Sequence, residues 1–176
     1  MLESDVIVIG GGPAGASCAW KLRQYGREVA IIDKENFPRA KPCAGWITPA
    51  TCRSLDIRPG AYPFGILAIR RITVHIHGRC FTLPTKQYSI RRSEFDSWLL
   101  ERAGVPVHTH RVRTIREEGR TFVIDDAFRC RFLVGAGGTA CPVYATFFRN
   151  RRPRPRESLI VTMEEEFACP DADPVS

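Results

Sequence analysis

Gly10, Gly12 and Gly15 are spaced G-x-G-x-x-G, directly after a β-branched apolar run (DVIVIG, residues 5–10) and directly before a helix-forming segment opened by Pro13 and Ala14. In that context each glycine has a purpose. Gly10 permits a tight turn, Gly12 lets a phosphate approach the backbone, and Gly15 lets the helix close on the strand. The helix N-terminus behind the loop offers free N–H groups and the positive end of its dipole, which suits a pyrophosphate. Asp33 follows 18 residues after Gly15, at the end of the next apolar run. A carboxylate there accepts hydrogen bonds from a ribose and disfavours a 2′-phosphate. Lys34 stands beside it. The implied chemistry is dinucleotide binding, and these residues alone do not separate FAD from NAD.

The elements that must hold these residues can be read from the same stretch. Residues 5–10 suit a strand buried on both faces of a parallel sheet. A helix runs from about Pro13 to Tyr25, packing through Ala16, Ala19, Trp20 and Leu22, and Gly26 ends it. Residues 28–33 (EVAIID) form the second strand, so the first 33 residues are one right-handed βαβ unit. A Pro- and Gly-rich loop over 34–49 and a short helix near 50–55 follow. Residues 69–77 alternate, with Ile72, Val74 and Ile76 on one face, and 79–83 and 87–91 read as two further short strands of an antiparallel sheet with one wet face. Ser93 stands as N-cap of a helix running to about Ala103, with Asp96 three residues on, and Gly104 stops it. A returning strand over 105–110, a small meander (111–115, 121–124, 128–131), a buried strand over 132–135 and the start of another over 158–167 complete the reading.

Two segments resemble known flavoenzymes. Residues 88–99 (YSIRRSEFDSWL) resemble the Y-x-I-x-R-x-x-F-D-x-x-L signature of the para-hydroxybenzoate hydroxylase superfamily, and residues 39–49 (RAKPCAGWITP) resemble the K-P-C-G-G loop of its geranylgeranyl reductase family. The shared order of segments covers about residues 4–143. The resemblance implies FAD as cofactor and an α/β fold: a three-layer, Rossmann-like FAD domain with an inserted, incomplete antiparallel sheet for the substrate. It implies that Arg92 contacts the phosphate or ribityl region, that Arg39 lies in the loop over the cofactor, and that Cys43, Ala44 and Gly45 lie beside the isoalloxazine ring. It places Val112 at a backbone contact to adenine. Residues 135–143 (GAGGTACPV) resemble the second cofactor motif, G-A-D-G, and bring Gly135, Ala136 and Gly137 to the FAD. Gly137 replaces the Asp of that motif and no arginine follows until Arg149, which counts against a hydroxylase. The implied division is 1–60 and 92–145 for the FAD domain, 61–91 for strands of the substrate domain, and 146–176 for the start of its remainder. The family's last cofactor motif, a strand ending in Gly-Asp, would lie beyond residue 176, so the chain reads as an N-terminal portion that holds FAD weakly and exposes apolar surface.

Bland readings compete at several positions. Arg92 also fits a simple ion pair with Asp96. Cys43 is the single catalytic candidate, and inert packing at a tight turn is the preferred reading, because a reactive thiol needs an electropositive setting. His75 with His77 and His108 with His110 share strand faces, yet no third ligand accompanies them; they read as surface residues and no metal site is expected. Arg149, Arg151, Arg152, Arg154 and Arg156 form a proline-broken basic run that reads as a solvated loop, with attraction to anionic headgroups or pyrophosphate as the alternative. Glu164–Glu166 read as a polar strand end.

The 176 residues carry a net charge of +7, with 44% hydrophobic and 26% charged residues, which is ordinary globular composition favouring anionic partners. No nucleic-acid recognition motif accompanies the charge. Seven cysteines without a Cys-x-x-Cys pair argue against a disulfide framework or zinc ribbon and point to a reducing, cytoplasmic compartment. No apolar stretch approaches the ~20 residues a membrane span needs, so membrane contact would be peripheral. Nothing sets the oligomeric state. The expected function is FAD-dependent oxidoreduction, with reduction of a C=C bond in a lipid-like isoprenoid leading, and NAD(P)H or another donor as reductant. The alternatives are a flavin monooxygenase or halogenase, and a flavin-binding fragment without catalysis of its own.

Overall fold

The computed structural model describes residues 1–155, 157 and 160–165. Its first unit is the βαβ expected from sequence: β1 (Leu2–Ile9), α1 (Pro13–Gln24) and β2 (Val29–Asp33). β1 and β2 are parallel, with Val6 opposite Val29 and Ile9 opposite Ile32. Their side chains alternate between two cores, as the period of a strand requires. Val6, Val8, Val29 and Ile31 face Ala16 and Ala19 of α1 and Phe95, Leu99 and Leu100 of α3 (Arg92–Ala103). Ile7, Ile9, Ala30 and Ile32 face the opposite layer, with Ile115, Ile124, Phe128, Cys141 and Val143.

The remaining strands are β3 (Trp46–Ile47), β4 (Ile66–Ile76), β5 (Arg79–Ile90), β6 (Val107–Thr109), β7 (Ile115–Glu118), β8 (Thr121–Ile124) and β9 (Phe128–Gly135). α2 (Pro49–Ser54) follows β3. A six-stranded sheet runs β6-β2-β1-β9-β8-β7, parallel through β6-β2-β1-β9 and antiparallel from β9 to β7, and a separate antiparallel sheet runs β3-β5-β4. The fold is therefore α/β with a Rossmann-like parallel sheet and an inserted antiparallel sheet, as anticipated.

Several boundaries differ from the sequence reading. Residues 79–83 and 87–91 are not two strands; β5 runs continuously through Pro84. The ladder slips there, between the Ile69–Gln87 and Arg71–Pro84 pairs, and a bulge tolerates a residue with no N–H to give. The first strand of the meander is Ile115–Glu118 rather than 111–115, because residues 110–114 wrap the Asp125 carboxylate instead. The meander's last strand and the strand over 132–135 are one element, β9, and it is not buried throughout: Phe132 is 58% exposed. α3 begins at Arg92, so Ser93 lies inside the helix, and its N-cap, Arg91, makes no side-chain cap bond. Gly104 stops the helix in the left-handed region as expected (φ 61). The strand read over 158–167 lies partly outside the described residues, and 160–165 form no strand.

His75 and His77 are exposed as expected, but the second histidine pair departs from a simple surface reading. His108 and His110 are half-buried and pack on the Phe128 ring, and no group of three metal-ligating side chains exists among the described residues. The six described cysteines are unpaired. No helix among the described residues is long and apolar enough to cross a membrane.

Candidate functional site

The glycine loop between β1 and α1 is closed by backbone on two sides. A Cβ at Gly10 would meet the Ala136 carbonyl oxygen at 2.5 Å, and one at Gly15 would collide with the Gly10 carbonyl oxygen. Gly12 differs. A Cβ there would meet nothing nearer than Arg39 Nη2 at 3.5 Å and Asp96 Oδ2 at 4.0 Å. The fold itself needs no glycine at residue 12, whose φ of −69° any residue adopts. What the bare position leaves is an open approach to the backbone at the N-terminus of α1, flanked by Pro13 and Ala14, where the first N–H groups have no helical partner.

Asp33 ends β2 under this loop. It is buried, and its carboxylate accepts from Gly11 N at 2.6 Å and from Glu35 N at 3.0 Å. Two oxygens offer about four acceptor sites, so capacity remains for a ligand hydroxyl. Arg39 lies across the loop mouth: its Nη2 stands 4.0 Å from Asp33 Oδ2, its guanidinium covers the Phe37 ring at 4.9 Å, and its Nε is buried with no partner among the described residues. An orphaned buried donor beside a glycine cradle is a fit for an anionic group. Lys34 instead points to solvent and pairs with Glu35.

Arg92 and Asp96 sit one helical turn apart on α3. The guanidinium grips the fully buried carboxylate through two bonds, Nε–Oδ1 at 2.7 Å and Nη2–Oδ2 at 2.9 Å. This is the ion pair left open as the plain reading of Arg92, and it stands beside Gly12. The Asp96 bond, against the opposing effect of burial and with help from the Cys43 sulfur, raises the Arg92 pKa, so its charge is permanent. Cys43 thus acquires a cationic neighbour from α3. Its backbone N donates to Glu164 Oε2 at 2.6 Å, so Glu164, read as a strand end, lies at the site. Gly45 (φ 68) is forced: a Cβ would collide with the Ile90 carbonyl, and the Gly45 carbonyl accepts from Ile90 N at 3.0 Å. Ala44 lies between them. An open cleft of about 1180 Å³ is lined by Arg39, Cys43, Leu67, Ile90, Arg92 and Glu164, among others.

The second glycine loop comes from β9. Ala136 N donates to Ile9 O at 2.8 Å, which sets Gly135, Ala136 and Gly137 against the Gly10 turn. At Gly137, where the resembling motif has Asp, a Cβ would meet the Cys141 backbone at 3.1 Å. Val112 lies in the loop after β6, whose His110 N donates to the Asp33 carbonyl at 2.7 Å. Sequence reasoning assigned no role to Tyr144 and did not single out Arg154 within its basic run, though Arg154 donates to the Thr139 carbonyl at 3.0 Å. The i, i+4 spacing of Arg92 and Asp96 was readable; nothing in sequence signals the return of Arg154.

The parallel sheet, the glycine loop on a helix N-terminus and the strand-end acid define a dinucleotide-binding fold. The chain belongs to the FAD dependent oxidoreductase family, whose model matches residues 5–98. It is 30% identical to the geranylgeranyl diphosphate reductase of Rhodobacter capsulatus, over 96% of this chain and 45% of that protein. It is 29% identical to digeranylgeranylglycerophospholipid reductase 1 of Methanopyrus kandleri, over 78% of this chain and 40% of that protein. The resemblance to geranylgeranyl reductases is thereby borne out. Among solved structures, the flavin-dependent halogenase CmlS superposes with a TM-score of 0.69 at 23% identity, covering 82% of this chain and 31% of that one; this likeness concerns the fold. The chain spans less than half the length of each of these proteins.

Proposed function

We propose that this protein is an FAD-dependent reductase of C=C bonds in an isoprenoid-type, lipid-like substrate. The observation that carries the cofactor reading is the contrast within the glycine loop: Gly10 and Gly15 are required by packing, whereas a Cβ at Gly12 would make only ordinary contact, with the Arg39 and Asp96 side chains, beside an Arg39 Nε that has no partner among the described residues. The pyrophosphate would lie over Gly10, Gly12, Pro13, Ala14 and Gly15. Asp33 would take the ribose, with Lys34 outside, and Val112 the adenine edge. Arg39 and Arg92 would balance the phosphate charge, and Cys43–Gly45 with Gly135–Gly137 would flank the ring. Reduced flavin held by these residues would supply the hydride equivalent and leave oxidised; with a proton from solvent or an acid, two electrons and two protons would saturate the C=C bond.

The residues of this chain bind and orient. The Asp96 carboxylate holds the Arg92 guanidinium in a fixed orientation beside Gly12. Ile66 and Leu67 give the cleft an apolar wall suited to a hydrocarbon. Residues 61–91 serve as strands of a substrate domain in this reading, and NAD(P)H or another donor is the reductant. The reductases named above support the substrate class.

The test is an absorbance spectrum of the purified chain before and after adding FAD, with Gly12→Asp alongside. Bands of bound flavin in the wild type, lost in a variant that stays folded, are the expected result. A folded wild type without bound flavin overturns the cofactor reading. Anaerobic reoxidation of the reduced, bound flavin by geranylgeranyl diphosphate tests the substrate, and its absence overturns the isoprenoid assignment.

A further inference from the structure

The second glycine loop contains three glycines in four residues, 135, 137 and 138, with Gly138 in the left-handed region (φ 70). Such a segment loses much conformational freedom on ordering. Within the loop, the turn closes through Cys141 N to Gly138 O at 3.2 Å. A grip also comes from further along the chain. After the turn Tyr144–Phe148, Arg154 folds back and its Nη1 donates to the Thr139 carbonyl at 3.0 Å. Its guanidinium lies 4.0 Å over the Tyr144 ring. The Tyr144 hydroxyl accepts from Arg154 N at 2.9 Å and donates to the Arg152 carbonyl at 3.0 Å. Tyr144 packs partly against the core layer that holds Cys141 and Val143. The ring face and hydroxyl lone pair therefore hold Arg154 against the loop carbonyl, and the hydroxyl proton fixes the Arg152 carbonyl two residues before it.

We propose that Arg154 and Tyr144 form a clamp that fixes the loop Gly135–Ala140 in the shape that receives the cofactor, which makes Arg154 a positioning residue for FAD. The proposal rests on the cofactor reading above. Preorganisation of a glycine-rich wall lowers the ordering cost that binding otherwise meets. Arg154 itself is exposed, so its removal disturbs the loop without disturbing the core.

FAD titration of wild type, Arg154→Ala, Arg154→Lys and Tyr144→Phe, followed by flavin fluorescence, is paired with amide hydrogen exchange at residues 138–141 in the absence of FAD. Arg154→Ala and Tyr144→Phe are expected to speed exchange at those amides and to weaken FAD binding about threefold to tenfold, the effect of losing one or two net hydrogen bonds. Their melting temperatures stay at the wild-type value. Arg154→Lys recovers part of the affinity, because an ammonium still reaches the Thr139 carbonyl but lacks the planar face that covers Tyr144. Wild-type FAD affinity in Arg154→Ala, or unchanged exchange, overturns the clamp alone. A wild type that takes up no FAD overturns it together with the cofactor reading.

Discussion

A methyl group at Gly15 would collide with the Gly10 carbonyl, while at Gly12 it would sit 3.5 Å from the Arg39 guanidinium. The two positions of one motif thus answer to different demands: helix-on-strand packing at Gly15 and, in the proposed reading, ligand approach at Gly12. Gly15→Ala is expected to destabilise the chain by about 1–3 kcal/mol, the usual cost of overpacking, as read by chemical denaturation. Gly12→Ala should stay within about 0.5 kcal/mol of wild type, as an unstrained surface change does, yet lose FAD. Equal stability losses in both variants would refute this division. Arg92 is a poorer probe than Gly12. Its removal leaves Asp96 charged, fully buried and unpaired, which confounds binding with folding.

The element that ties the antiparallel end of the large sheet to its parallel part is the loop after β6, and one carboxylate organises it. Asp125 accepts from the backbone N–H groups of Arg113 and Thr114, the Thr114 hydroxyl and His110 Nε2. Burial pushes its pKa up, but the Arg113 N–H, His110 and Thr114 bonds outweigh that and hold it at about 2. The folded value lies below the unfolded one of about 3.9, so the stabilisation is complete above about pH 4 and is lost as pH falls through about 2. Asp125→Asn keeps a residue tolerated at φ 47 and removes the charge. Its stability deficit against wild type should be constant, at about 2 kcal/mol or less, above pH 4 and should shrink toward pH 2; a deficit independent of pH would contradict this account.

Across the whole molecule, the β4–β5 hairpin carries its apolar face beyond the layer that covers its root. Ile47, Tyr88 and Ile90 pack into the core, whereas Ile76, Phe81 and Leu83 are 53%, 49% and 55% exposed. Val74 opposes Phe81 and Ile72 opposes Leu83, so these side chains form one patch. Contiguous exposed apolar surface of this kind marks a site for a partner surface or ligand. Phe81→Ser with Leu83→Ser should lower binding of a hydrophobic dye and self-association while leaving the denaturation midpoint nearly unchanged. A large loss of stability would mean that the patch is already buried in solution.

The βαβ unit and the spacing of the glycine loop and strand-end acid were determined by sequence alone, because strand burial, helix caps and the close approaches of Gly10 and Gly15 are local demands that specific residue types must meet. Arg92 with Asp96 was also within reach, since a helix brings i and i+4 together. Only the tertiary structure decided the rest. It carried β5 through Pro84, where a bulge absorbs the missing N–H. It set the Cys43 backbone against Glu164, and Arg154 against Thr139, contacts between residues far apart in sequence with no periodicity to announce them. It also separated Gly12 from its neighbours, because a pattern of three glycines does not say which of them packing requires.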